Sequence, residues 1–137
     1  MSALYGGERT LTELDHVRLS SLLRRGTPPP EAAPIADLID GAALVPSREV
    51  APDVVTMYSQ VLLVHEPSGT RSKLTLCYPQ DAEPESGFVS ILSPVGAALL
   101  GQRVGSRVHW VTPLGERRKG EIVALLFQPE ASGDYTI

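Results

Sequence analysis

A chain of 137 residues with 42% apolar content has room for one sizeable core and a small appendage. Its net charge of -4 excludes bulk attraction to nucleic acid or an anionic membrane, and no apolar run approaches the ~20 residues needed to span a bilayer. A single cysteine, Cys77, excludes an internal disulfide framework and points to a reducing cytoplasm, as does an N-terminus without the basic, apolar, small-residue order of a signal peptide.

Residues 1–9 read as a loose start. Thr10-Leu11-Thr12-Glu13 has the form of a capping box, with Thr10 and Glu13 each satisfying the other's end. A helix is expected from about Leu11 to Arg25, with Leu11, Leu14, Leu19 and Leu22 on a broad apolar face. Arg24 and Arg25 suit its C-terminus, and Gly26-Thr27-Pro28-Pro29-Pro30 cannot continue it. Pro34 can open a second helix whose Ile35, Leu38, Ile39 and Ala42 share one face at i, i+3, i+4, i+7. Together these predict an antiparallel helical hairpin over residues 1–50. Its first prong reaches only about 20 Å at ~1.5 Å per residue, so it must lean on the rest of the chain.

After Pro52 the pattern changes to strands. Val61–His65 is one candidate, Glu66–Thr70 a turn, and Arg71–Tyr78 an alternating partner strand. Asp81–Gly87 is an acidic loop and Phe88–Leu92 a third strand. Ser93–Gly101 is a fully punctuated short helix: Ser93 as N-cap, Pro94 at the first helical position, Ala97 to Leu100 as helix formers, and Gly101 as a left-handed stop. Strands over Arg107–Val111 and Glu121–Phe127 follow, separated by a Pro113–Glu116 turn. The order predicts an α+β fold, a twisted and mostly antiparallel sheet against one short helix over residues 51–137.

Few residues carry chemistry. His16, His65 and His109 are far apart in sequence, and no pair has metal-ligand spacing. Cys77 lies in an apolar strand and reads as a small hydrophobe, although a Cys–His dyad is conceivable in three dimensions. The glycines form no phosphate-binding motif, so neither a metal nor a cofactor is expected. Glu31, Asp37 and Asp40 are the acidic group of the hairpin. They could hold Mg²⁺ near a tip, but a solvated polar face explains them better. Arg117-Arg118-Lys119 could meet phosphate, an acidic protein partner, or serve to protect a sheet edge. Trp110 reads as a core residue.

Asp53-Val54-Val55-Thr56-Met57, Tyr78-Pro79, Pro94 to Gly101, Arg103-Val104-Gly105, His109-Trp110, Gln128-Pro129-Glu130-Ala131 and Gly133-Asp134-Tyr135 give the chain a family resemblance. From Pro52 onward it resembles the C-terminal domain of the Gre transcript-cleavage factors, and more closely the regulator of nucleoside diphosphate kinase family, Rnk. Leu14-Asp15, Leu22-Leu23 and Pro34-Ile35-Ala36-Asp37 extend the Rnk likeness into the N-terminal half. The resemblance implies an FKBP-like domain behind a short coiled-coil hairpin. It implies docking on the rim of the secondary channel of bacterial RNA polymerase, in competition with Gre factors and without their cleavage activity. Ser93 and Pro94 match the Gre docking loop, and Leu92 stands where some Gre factors carry an acidic residue. These three are the expected polymerase contacts. A prolyl isomerase is the enzymatic alternative that the fold implies, and a regulatory adaptor of nucleoside diphosphate kinase or nucleotide pools is the one the family name implies, an indirect link through transcription being the simpler reading. Neither sequence-specific nucleic-acid binding nor a membrane partner is expected.

Overall fold

The structure, a computed structural model, describes residues 9–24 and 33–134. The connector from Gly26 to Glu31, and Tyr135, lie outside the described residues. The first element of the described residues is a short strand, β1 (Thr10–Thr12), where a helix was expected. It pairs in parallel with β2 (Ala43–Val45), Leu11 opposite Leu44. This pairing moves the helix start. Helix α1 runs Glu13–Arg24, and its first turn is held by Thr12, whose Oγ1 accepts from the Asp15 amide at 3.0 Å. The Thr10–Glu13 capping box is therefore corrected to a cap two residues later. The backbone of Thr10 is already committed, its amide donating to the Gly101 carbonyl. Helix α2 (Ala33–Gly41) packs beside α1.

Five strands form the main sheet: β3 (Gln60–Glu66), β4 (Arg71–Cys77), β5 (Phe88–Ser90), β6 (Arg107–Val111) and β7 (Arg117–Phe127), in the order β5-β4-β3-β7-β6. The expected antiparallel character holds for β3–β4, β3–β7 and β6–β7, while β5 lies parallel to β4. The loop of residues 78–87 returns the chain to the start of β4's side before β5 begins, which makes that parallel pairing possible. β7 starts four residues earlier than expected because Arg117–Glu121 pair with β6. Two register shifts against β3 leave Val123 and Leu126 as bulge residues, both exposed. Bulges increase local twist and bend a sheet. The result is a mixed α+β fold with a curled sheet and few helices.

The inner face of the sheet is the alternate set that the period of two predicts. Val61 and Leu63 of β3, Leu76 of β4, Val89 of β5, Val108 of β6 and Ile122 of β7 are all buried. Helix α3 (Pro94–Leu99) closes over them with Ala97, Ala98, Leu99 and the following Leu100. Leu19 of α1 and Ile35 and Leu38 of α2 enter the same cluster, which gives the amphipathic helices the partner that short helices require.

Candidate functional site

The turn between β5 and α3 is closely constrained by hydrogen bonds. Ser90 and Ser93 build it between them. The Ser93 amide donates to the Ser90 carbonyl at 2.9 Å, closing a four-residue turn. The Ser93 hydroxyl donates to the same carbonyl at 2.6 Å and accepts from the Gly96 amide at 3.1 Å. Ser90 Oγ accepts from the Leu92 amide at 3.0 Å, and the Ile91 amide donates to the Cys77 carbonyl at 2.8 Å. Pro94 occupies the first turn of α3. Its fixed φ suits that position, and its missing N–H leaves no orphan donor. Leu92, Ser93, Pro94 and Val95 are half-buried, so the turn shows part of each side chain to solvent.

Gly96 is what allows this geometry, and its part was not read from the sequence. A Cβ on Gly96 would stand 2.1 Å from the Ser90 carbonyl oxygen. The first turn of α3 can therefore press onto the end of β5 only with hydrogen at that position. At the other end of α3, Gly101 takes φ +80°, as its predicted role as a stop requires. Arg9 Nη1 donates to the Ala97 and Leu100 carbonyls at 2.6 and 3.3 Å. A cation on these carbonyls complements the negative end of the helix.

The segment 51–59 behind the corner gathers the rest of the molecule. Gln128 Nε2 donates to the Ala51 and Val54 carbonyls at 2.9 and 2.7 Å. The Thr56 hydroxyl donates to Glu130 Oε1 at 2.7 Å. The Val55 amide donates to the Gln102 carbonyl at 2.8 Å, and the Gly101 amide to the Val55 carbonyl at 2.8 Å. Asp15, on α1, accepts from the Met57 amide at 3.1 Å across 42 residues of sequence. Asp15 is 2% exposed. Burial raises its carboxyl to about 6, against the lowering effect of the Met57 hydrogen bond, with the Glu130 charge adding to the rise.

Residues 50–126 match the family described as Transcription elongation factor, GreA/GreB, C-term. Over 131 residues the chain is 38% identical to the regulator of nucleoside diphosphate kinase of Escherichia coli (strain K12), covering 93% of this chain and 95% of that one. The chain belongs to the Rnk family and carries a GreA/GreB C-terminal domain. It is also 33% identical over 82 residues to the transcription elongation factor GreA of Geobacillus kaustophilus, spanning about half (52%) of that longer protein. Among solved structures, the prokaryotic transcription elongation factor GreA/GreB from Nitrosomonas europaea superposes with a TM-score of 0.74 at 34% identity, over 88% of this chain and 99% of that one.

The stretches that carry the resemblance fall on the constraints just described. Asp53–Met57 and Gln128–Glu130, far apart in sequence, are each other's hydrogen-bond partners. Leu92, Ser93 and Pro94 come together at the corner, while Asp37 and Asp40 are exposed on α2 and Glu31 lies outside the described residues. Among the described residues no group of three or more His, Cys, Asp or Glu is placed to hold a metal ion. His65 has a structural setting, with its Nε2 3.0 Å from Ser72 Oγ and its ring edge-on to Trp110 at 5.9 Å. The Cys77 thiol is buried and donates to the Val89 carbonyl at 3.4 Å, and burial pushes its pKa up. That is the setting of an inert thiol rather than a nucleophile. No helix of the described residues is long and apolar enough to cross a membrane.

Proposed function

We propose that this protein is a non-enzymatic, cytoplasmic transcription regulator that docks on bacterial RNA polymerase at the rim of the secondary channel. Its body is FKBP-like and its N-terminal pair of helices forms a short coiled coil. It competes there with Gre factors and does not stimulate RNA cleavage. The observation that carries this reading is the Ser90–Gly96 corner, a pre-organised turn that presents Leu92, Ser93 and Pro94 at the position the Gre docking loop holds in sequence. Rigid presentation lowers the entropic cost of binding. The short arm supports the absence of cleavage: the 12 residues of α1 extend about 18 Å. Asp37 and Asp40 lie along α2, exposed to solvent. An effect on nucleoside diphosphate kinase, which the name of the Escherichia coli relative invokes, then follows indirectly through transcription.

Co-purification with core polymerase, challenged by a Gre factor, tests the reading. Displacement of one by the other is expected, and Leu92→Asp and Pro94→Ala should each weaken binding while leaving the thermal transition in place. Simultaneous binding of both proteins, or full affinity in both variants, overturns the shared berth. Shortening of backtracked transcripts by the purified protein overturns the absence of cleavage.

A further inference from the structure

The β6–β7 hairpin is untouched by the function above. Its turn is locked: the Thr112 amide donates to the Glu116 carbonyl at 2.8 Å, the Gly115 amide to the Thr112 carbonyl at 2.8 Å, and the Glu116 amide to Thr112 Oγ1 at 3.1 Å. Gly115 takes the left-handed φ of +88° that this turn needs. The locked turn holds Leu114 out at 89% exposure, with Pro113 and Val111 also exposed beside it. A lone exposed leucine needs no explanation, but a rigid apolar tip of three residues is the form of an anchor.

The cations lie immediately behind this tip. Arg117 is opposite Val111 and Lys119 opposite His109, which puts all four on the outer face of the sheet. Arg71 and Lys73 of β4 reach that same face through Val64 and Leu62 of β3. Glu116 holds Arg118 at 3.0 Å, and Glu66 lies 3.7 Å from Arg107. Arg117 and Lys119 have no ion pair among the described residues. Edge protection does not account for Lys119, which pairs with Glu66 of β3 on one side and His109 of β6 on the other, whereas Arg117 pairs with β6 alone. In a chain of net charge -4 they form a local reversal of sign.

We propose that the hairpin tip is a second docking element, which seats an acidic protein segment carrying an apolar side chain against Leu114. An acidic polypeptide fits better than nucleic acid. Glu66 and Glu121 interrupt the cations of this face, so it offers no continuous basic track for a phosphate backbone, and the apolar tip wants an apolar side chain, which a polypeptide supplies. The tip and the Ser90–Pro94 corner lie at opposite ends of the strands, since β4 and β5 end at the corner while β6 runs away from it toward the tip. The 11 residues of β7 alone span about 33 Å at ~3.3 Å per step. One polymerase can therefore be held at two separated points. This inference rests on the polymerase reading, and the acidic segment is assigned to the polymerase.

The test uses full-length protein and core polymerase. The double variant Arg117→Glu/Lys119→Glu should lose about tenfold in affinity at low salt and show a flatter salt dependence than the wild type, because charges at a rim act through steering. Leu114→Ser should lose a few-fold at any salt. A photoreactive phenylalanine at position 114 should cross-link to a segment of a polymerase subunit rich in Asp and Glu. Wild-type binding that falls with Leu92→Asp but is unmoved by either hairpin variant overturns the second element and leaves the polymerase reading standing. Cross-links to DNA or RNA in an elongation complex reassign the tip to nucleic acid and overturn it too. If the wild type does not bind polymerase, both readings fall together.

Discussion

Asp15→Asn should stabilise the protein above neutrality and leave it nearly unchanged in acid. The carboxyl is buried between α1 and the 51–59 segment, and its proton affinity is raised from 3.8 to about 6. The groups around it are the Met57 amide, the Thr12 hydroxyl, Glu130, Arg18 and the Tyr78 ring. Because the folded state holds this proton more tightly than the unfolded state does, the contribution to stability is fully present below about pH 4. It declines as pH rises through about 6. The rise from 3.8 to about 6, at ~1.4 kcal/mol for each tenfold change in proton affinity, gives on the order of 3 kcal/mol lost by about pH 8. Asparagine keeps the shape and an oxygen to accept from the Met57 amide, and has no charge to bury. Urea denaturation of both proteins across about pH 4 to 8 checks this, and the difference between them cancels the other carboxylates. The variant should gain about 2–3 kcal/mol on the wild type over that range, at constant m-value. A gap that does not change with pH would refute the burial argument. A variant less stable at high pH would show that the charge strengthens the Met57 bond by more than burial costs.

Gly96→Ala should cost 3 kcal/mol or more in urea denaturation, at or above the upper end of the usual overpacking range of about 1–3, because the obstruction at 2.1 Å is backbone. Gln128→Ala should cost about 1–2 kcal/mol in the same assay, since it strips a buried donor from the Ala51 and Val54 carbonyls. Arg103→Ala should change the melting midpoint little, because its 3.0 Å pair with Asp53 is about half exposed on both sides and such pairs contribute about 0–1 kcal/mol. Cys77 should react with a thiol reagent only as fast as the fold opens. Rapid labelling of the native protein would place the thiol at the surface.

Local chemistry was legible and long-range pairing was not. The Ser93 cap, Pro94 and the left-handed Gly101 are decided within one or two turns of chain, so their residue types declare them. β6 occupies the expected Arg107–Val111 because its alternation is bounded by turns on both sides. The Thr10–Glu13 box failed for a non-local reason: β2, more than thirty residues away, recruits Thr10–Thr12 as a strand, and the cap passes to the next threonine. The parallel partner of β5 was hidden in the same way. At the site, Leu92, Ser93 and Pro94 were visible because they are contiguous. Gly96 stood in the same motif, yet nothing local says that its missing side chain is filled by the Ser90 carbonyl.

The same logic explains why so much of the resemblance lies outside the proposed docking residues. Segment 51–59 has no helix or strand of its own until β3, so its backbone groups need partners elsewhere. Gln128 supplies one from the tail, Gln102 and Gly101 from the exit of α3, Asp15 from α1, and Leu76 from β4, while Glu130 takes the Thr56 hydroxyl. An irregular strap with so many obligations tolerates few residue types, which gives it a recognisable sequence. It also sets the angle at which α1 leaves the body, because the Asp15 carboxylate is a side-chain tie on one fixed amide, that of Met57. For a docked regulator that angle decides where the arm points. Loss of the Asp15–Met57 tie should therefore alter competition with Gre factors even when the Ser90–Pro94 corner is untouched. Asp15→Ala is the variant that separates arm posture from docking. It should keep the corner contacts yet bind core polymerase a few-fold more weakly, and compete with Gre factors less well in proportion, because α1, still anchored by Leu19, is less firmly oriented.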